Sequence, residues 1–181
     1  ITRRGVKMAI LIGLEGPDMT GKSEIAAEMS KILKVPVFKN KGEWYADLRD
    51  PSYFKNLLIH GSTFLTEFLL QTGTSVLMDR NHASEWVYAQ FFNRDTDFEI
   101  LRKIDEKFAE AGGKFIICRR KSYAGIRDDL HDYIDENALR KLDNLYEQFQ
   151  AWTRCECLTL WVDDENLERE VSEIFEWMKR G

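Results

Sequence analysis

Gly16-Pro-Asp-Met-Thr-Gly21-Lys22-Ser23 fits the pattern G-x-x-x-x-G-K-[ST], and its flanks decide the fold. The apolar run Met8-Ala-Ile-Leu-Ile-Gly-Leu14 precedes it and reads as a buried strand. Residues 23–34 follow and read as a helix. Strand, glycine loop and helix in that order is the arrangement a phosphate-binding loop needs. Gly16 and Gly21 let the backbone adopt conformations closed to residues with a Cβ. The loop N–H groups then turn inward around phosphate oxygens, and the helix points its positive N-terminus at the same place. Lys22 reaches the β- and γ-phosphates of a bound nucleotide, and the Ser23 hydroxyl is a ligand for Mg²⁺.

The same alternation continues along the chain. Strand candidates lie at 8–14, 35–39, 75–79, 114–118 and 157–162, mostly without polar alternation, as in strands buried on both faces. Helix candidates lie at 23–34, 53–71, 84–92, 97–111, 136–153 and 166–179. Gly73 and Gly112-Gly113 stand where helix C-caps belong. This pattern predicts an α/β fold with a parallel sheet covered on both faces. Residues 1–7 are polar, basic and without period, so they read as a leader outside the fold, with Met8 as a natural start; residues 8–181 read as one domain.

Composition narrows the function. With 181 residues and 44% hydrophobic content, the chain has enough apolar material for a substantial core. A net charge of −5 argues against stable nucleic-acid binding or tight attachment to an anionic membrane surface. No apolar stretch approaches the ~20 residues that span a bilayer. Cys118, Cys155 and Cys157 lack zinc spacing and read as reduced thiols, two of them buried near strands, in a cytoplasmic protein. His60, His82 and His131 form no ligand pattern and read as solvated or capping residues.

In parallel α/β sheets, ligands gather at the carboxyl ends of the strands. Asp79-Arg80 ends the third strand beside the phosphate loop. Asp79 is placed to hold Mg²⁺ through water, and Arg80 to neutralise a transferring phosphoryl group. Arg119-Arg120-Lys121 and Arg127 form a basic cluster after the fourth strand. The weakly apolar 119–135 region reads as a lid, with Arg127 its main catalytic candidate. Ser84 reads as the N-cap of the next helix, with Glu85 in its first turn. Trp86 and Tyr88 suit either the core or contacts with a base or sugar. Asp18, an acid inside an anion-binding loop, suits a sugar hydroxyl or a local turn contact. Candidates for holding the nucleotide cofactor are therefore Gly16, Asp18, Thr20, Gly21, Lys22, Ser23 and Arg119.

These residues resemble those of thymidylate kinases and their viral relatives, within the wider nucleoside and nucleoside monophosphate kinase group. Glu15-Gly-Pro-Asp-Met-Thr-Gly-Lys-Ser23 is similar to that family's E-G-x-D-x-x-G-K-[ST] loop, and Asp79-Arg80-Asn81 to its D-R-[YFH] motif with Asn in the third place. Residues 84–90 resemble its serine-rich, Tyr-Gln-bearing helix, and 160–166 the strand and loop that cover adenine. The resemblance implies a three-layer P-loop kinase fold with a five-stranded sheet of order 2-3-1-4-5. It also implies ATP and Mg²⁺ as cofactors, a small nucleotide as acceptor and a possible homodimer through helices near 53–71 and 84–92. Asp18 would contact the deoxyribose 3′-hydroxyl, Arg80 would bridge donor and acceptor phosphates, and Asp79 would help place Mg²⁺ and the acceptor. Arg127 would close over the transferred group.

Two features depart from the family. Lys39-Asn-Lys-Gly-Glu43 replaces its R-E-P-G segment, and residues 61–71 lack its base-reading arginine. The leading expectation is a kinase of a deoxynucleoside monophosphate, a pyrimidine such as thymidylate or a 5-modified deoxyuridylate. A kinase of a hydroxyl acceptor is the alternative, with a deoxynucleoside or a 5-hydroxymethyl-pyrimidine, free or in DNA, as substrate and Asp79 or Glu85 as base. A P-loop ATPase or switch module is a third reading.

Overall fold

The apolar runs become the central sheet. A computed structural model describes residues 9–39, 51–126 and 134–180, with the backbone alone for 51–58. In chain order the elements are β1 (Leu11–Glu15), α1 (Lys22–Leu33), β2 (Val37–Lys39), α2 (Pro51–Thr72), β3 (Val76–Asp79), α3 (His82–Phe91), α4 (Phe98–Glu110), β4 (Lys114–Arg119), α5 (Glu136–Trp152), β5 (Glu156–Trp161) and α6 (Leu167–Arg180). The strands pair in the order β2-β3-β1-β4-β5, all parallel, as expected.

Helices cover both faces of the sheet. On one face Ile12 and Leu14 of β1 pack with Ile25 and Met29 of α1 and Ile174 of α6. On the other, Leu11 packs with Trp86 of α3, Phe108 of α4, Phe115 of β4 and Phe149 of α5. Gly13 leaves room on that face for Phe115, whose ring would lie 2.5 Å from a Cβ there. Both faces of β1 are thus occupied, which is why its sequence shows no alternation.

Helix ends follow their local chemistry. Asp97 accepts from the backbone N–H groups of Glu99 and Ile100 to cap α4, and Asp135 accepts from Ala138 to cap α5. Gly73 closes α2, its N–H donating to Leu69 O at 2.9 Å. Gly112, at φ 79, ends α4 in the left-handed region that glycine tolerates.

Two expectations change. The third helix begins at His82 with Asn81 as its cap residue, so Ser84 lies inside the first turn and its hydroxyl serves the site instead. His82 is neither solvated nor capping but fully buried, against the rings of Phe108, Phe115 and Phe149. Its Nε2 lies 3.0 Å from Asp105, which also accepts from the Thr153 hydroxyl and the Arg154 backbone N–H. The His82–Asp105 pair thereby ties α3 to α4, and Asp105 ties α4 to the α5–β5 corner, a partnership that sequence spacing does not reveal. His60 is exposed. Cys118 and Cys155 are buried and Cys157 half-buried, all three free. Among the described residues no helix is long and apolar enough to cross a membrane. The leader at 1–7, Met8, the segment 40–44, Arg127 and His131 lie outside the described residues.

Candidate active site

β1 ends in Glu15, and the chain turns at once through Gly16. At φ 135, and with the Cys118 carbonyl 2.2 Å from where a Cβ would sit, only glycine fits there. The loop is closed by the Thr20 hydroxyl, which donates to Pro17 O at 2.8 Å, and by Gly21, whose φ of 68 leads into α1. Lys22 is buried at the start of α1. Its ammonium donates to Pro17 O at 2.5 Å and to Thr20 Oγ1 at 3.1 Å, both within the loop. Burial, aided by the nearby Arg80 charge, lowers its pKa to about 8.

The end of β3 supplies the second part. Asp79 is 3% exposed and accepts from the Ser23 hydroxyl at 2.6 Å, so the two proposed metal-binding groups are in direct contact. Lys39, at the end of β2, reaches the same pair: its ammonium lies 3.1 Å from Ser23 Oγ and 3.4 Å from Asp79 Oδ2. Ser23 and Asp79 are hard oxygen donors of the kind Mg²⁺ prefers. Among the described residues no group of three or more His, Cys, Asp or Glu could hold a metal alone. The pair therefore fits an Mg²⁺ that arrives largely ligated by nucleotide phosphates and water.

Arg80 is the hub of the third part. Its backbone is left-handed, at φ 70, which is unusual for a residue with a Cβ. One guanidinium nitrogen lies 3.4 Å from Gly16 O and 3.2 Å from both the Ser84 and Tyr146 hydroxyls. The other pairs with Asp18, and the group lies 5.1 Å from the centre of the Tyr88 ring. Tyr88 donates its hydroxyl to Asp18 at 2.7 Å. Asp18 is thus engaged by two side chains, Arg80 and Tyr88.

Behind this hub sits the fully buried Glu15, which accepts from Asn81 N, Ser84 Oγ and Tyr146 OH at 2.5, 2.7 and 3.1 Å. Burial raises its carboxyl above the ordinary range, against the pull of Arg80. Sequence reading gave Glu15 no role, although an acid closing an apolar strand was a signal. Tyr146 lies 131 residues away and carried no signal at all.

The remaining residues sort differently. Trp86 belongs to the core, while Tyr88 belongs to the site. Glu85 is held by a two-pronged pair with Arg94 at 3.1 and 2.7 Å. Arg119, a candidate for holding the cofactor, grips Asp143 at 3.0 and 2.6 Å and Glu147 at 3.1 Å. The cause is α5, which presents those two acids one turn apart toward the end of β4. Arg120 donates to Met19 O in the loop and to Glu165 beyond β5. Two arginines of the expected basic rim are therefore matched by acids.

No family model matches this sequence, and neither does any curated protein. Solved structures share the fold. The YorR protein of Bacillus subtilis, solved in complex with phosphorylated GDP, has a TM-score of 0.70 at 23% identity over 93% of this chain and 95% of that one. Thymidylate kinase from Candida albicans gives 0.65 at 16% identity over 96% and 92%. Deoxyadenosine kinase from M. mycoides, solved with products dCMP and a flexible dCDP, gives 0.59 at 19% identity over 94% and 99%. The chain has the P-loop nucleoside monophosphate kinase-like α/β fold.

Proposed function

We propose that this chain is a kinase that moves the γ-phosphoryl group of ATP, with Mg²⁺, onto the phosphate of a deoxynucleoside monophosphate. A pyrimidine acceptor, thymidylate or a 5-modified deoxyuridylate, is the preferred form of this reading. One observation carries it: the phosphate loop and the Asp79-Arg80 strand end form one connected set, through Ser23 to Asp79 and through Arg80 to Gly16 and Asp18. Among the similar solved proteins, the thymidylate kinase is named for a nucleotide acceptor and supports this reading, whereas the deoxyadenosine kinase, named for a nucleoside and solved with dCMP as a product, stands nearer the hydroxyl-acceptor alternative.

The chemistry is in-line attack by an acceptor phosphate oxygen on the γ-phosphorus, with the bond to the β-phosphate oxygen breaking. The attacking acceptor oxygen is already anionic, so positioning and charge neutralisation set the rate. Lys22 serves the β- and γ-phosphates, and Arg80 bridges donor and acceptor. Ser23 and Asp79 would hold Mg²⁺, which when bound neutralises phosphate charge. Asp18, with Tyr88 beside it, reads the deoxyribose hydroxyl. Residues 119–135 act as a lid in this reading, with Arg127 over the transferred group.

What favours a phosphate acceptor over a hydroxyl is the state of the two carboxylates that would serve as base. Glu85 is held by Arg94, and Asp79 accepts from Ser23 with Lys39 alongside. The three unpaired thiols suit a cytoplasmic setting. A homodimer through α2 and α3 belongs to the same reading, supported by Phe64 and Phe68, 73% and 45% exposed on α2.

The test is a panel of nucleosides, deoxynucleoside monophosphates and short DNAs with labelled ATP. Monophosphates should outcompete the matching nucleosides by about a hundredfold, because a smaller substrate leaves buried donors unpaired. Efficient transfer to a nucleoside, or only to a hydroxyl in DNA, would move the protein to the hydroxyl-kinase reading. Hydrolysis with no acceptor at all would mark an ATPase.

A further inference from the structure

Parallel pairing of β2 with β3 sets Lys39 directly opposite Asp79 at the strand ends. From there the Lys39 ammonium approaches both Ser23 Oγ and Asp79 Oδ2, while Ser23 donates to the same Asp79 oxygen. One carboxylate oxygen is therefore shared by a hydroxyl and a cation. The carboxylate is 4% exposed and the lysine side chain 46% exposed, so the cation has room to leave on its four-carbon stem and the anion does not.

Ser23 and Asp79 are the groups the proposed reading gives to Mg²⁺. An ammonium and a divalent ion cannot share one carboxylate oxygen at these distances without strong repulsion. We infer that Lys39 is the resident counter-ion of the Ser23–Asp79 pair: it holds the metal's place in the metal-free protein, lets a nucleoside triphosphate bind without metal, and is displaced when Mg²⁺ arrives.

Without any cation at this point, the buried Asp79 carboxylate faces the incoming phosphates and repels them. Lys39 offsets that charge when metal is absent, and Mg²⁺ offsets it when metal is present. The contribution of Lys39 to nucleotide affinity should therefore depend on metal. A plain phosphate contact would contribute in both conditions. An incidental exposed ion pair would contribute in neither.

This inference rests on the site binding ATP, and the test separates the two claims. A fluorescent ATP analogue is titrated into wild type, Lys39→Ala and Lys39→Arg, in EDTA and in excess Mg²⁺, with melting temperatures taken to confirm folding. Lys39→Ala should weaken binding at least tenfold in EDTA and less than threefold in Mg²⁺, while Lys39→Arg stays near wild type in both. By linkage, Mn²⁺ titrated into the protein–ATP complex and followed by electron paramagnetic resonance should bind the Lys39→Ala variant more tightly than wild type. Equal weakening in both conditions, or weakening in neither, overturns the inference while leaving the nucleotide site intact. If wild type binds no ATP in either condition, the nucleotide reading fails and this inference falls with it.

Discussion

Proton uptake on nucleotide binding tests the role of Lys22 directly. In the free protein, burial and then the Arg80 charge bring its ammonium from 10.5 down to about 8. At pH 8 about half the molecules hold a neutral amine there, and at pH 9 about nine in ten do. Phosphate oxygens within ~4 Å would favour the charged form again. Binding ATP at pH 9 should therefore draw close to one proton from solution, and affinity should fall by up to about tenfold per pH unit above 8.

The same displacement has a sign in stability. The folded value lies below the unfolded one, so between pH 8 and 10.5 the unfolded chain holds the extra proton. Stability from this group therefore rises with pH across that window, by about 3 kcal/mol, and the charged amine costs that much below it. Calorimetry in two buffers of different ionisation heat, at pH 7 and 9, measures the uptake in wild type and in Lys22→Met. Urea unfolding of both proteins across the same range measures the stability. Uptake that is absent in wild type, or identical in the variant, would refute the assignment of Lys22 to the phosphates.

Three other outcomes are expected. Arg80→Lys keeps the charge but loses the fork that reaches Gly16, Ser84, Tyr146 and Asp18 together, so turnover should drop tenfold or more, about 1.4 kcal/mol in barrier; a variant within twofold of wild type contradicts this. Arg127→Ala should lower turnover at saturating ATP more than it lowers ATP affinity, as fits a charge acting in the transition state; the reverse pattern marks a ground-state contact. Asp105→Ala strips partners from the buried His82 and the Arg154 backbone, so urea unfolding should record a loss of about 3 kcal/mol or more, and a loss under about 1 kcal/mol shows that water or rearrangement replaces those bonds.

The order of strands and helices was readable because each element carries its own signal. Parallel strands buried on both faces leave unbroken apolar runs, and glycines mark where helices stop. The site was readable only where its residues are adjacent in sequence. The phosphate loop and Asp79-Arg80 each form a short motif, and the sheet brings them together. Glu15, Tyr146 and Lys39 escaped because their meaning depends on register and on partners far along the chain. Ser84 was misread for a related reason: a serine near a helix start suits a cap, but Asn81 sits two residues after Asp79 and starts the helix earlier. Arg119 could not be judged without knowing that α5 turns Asp143 and Glu147 toward it.

In the proposed reading, the pairing of Arg80 with Asp18 and of Lys39 with Asp79, beside a Lys22 held by the Pro17 carbonyl and the Thr20 hydroxyl, would make the site an ion exchanger. An entering anion does not meet bare positive charge. It must take cations from the carboxylates and carbonyls that already hold them. A small anion such as sulfate replaces too few of these contacts to make the exchange favourable, whereas a polyphosphate chain replaces several at once. Discrimination against abundant simple anions would in this sense be a property of the protein's own charge balance, set before any nucleobase is read.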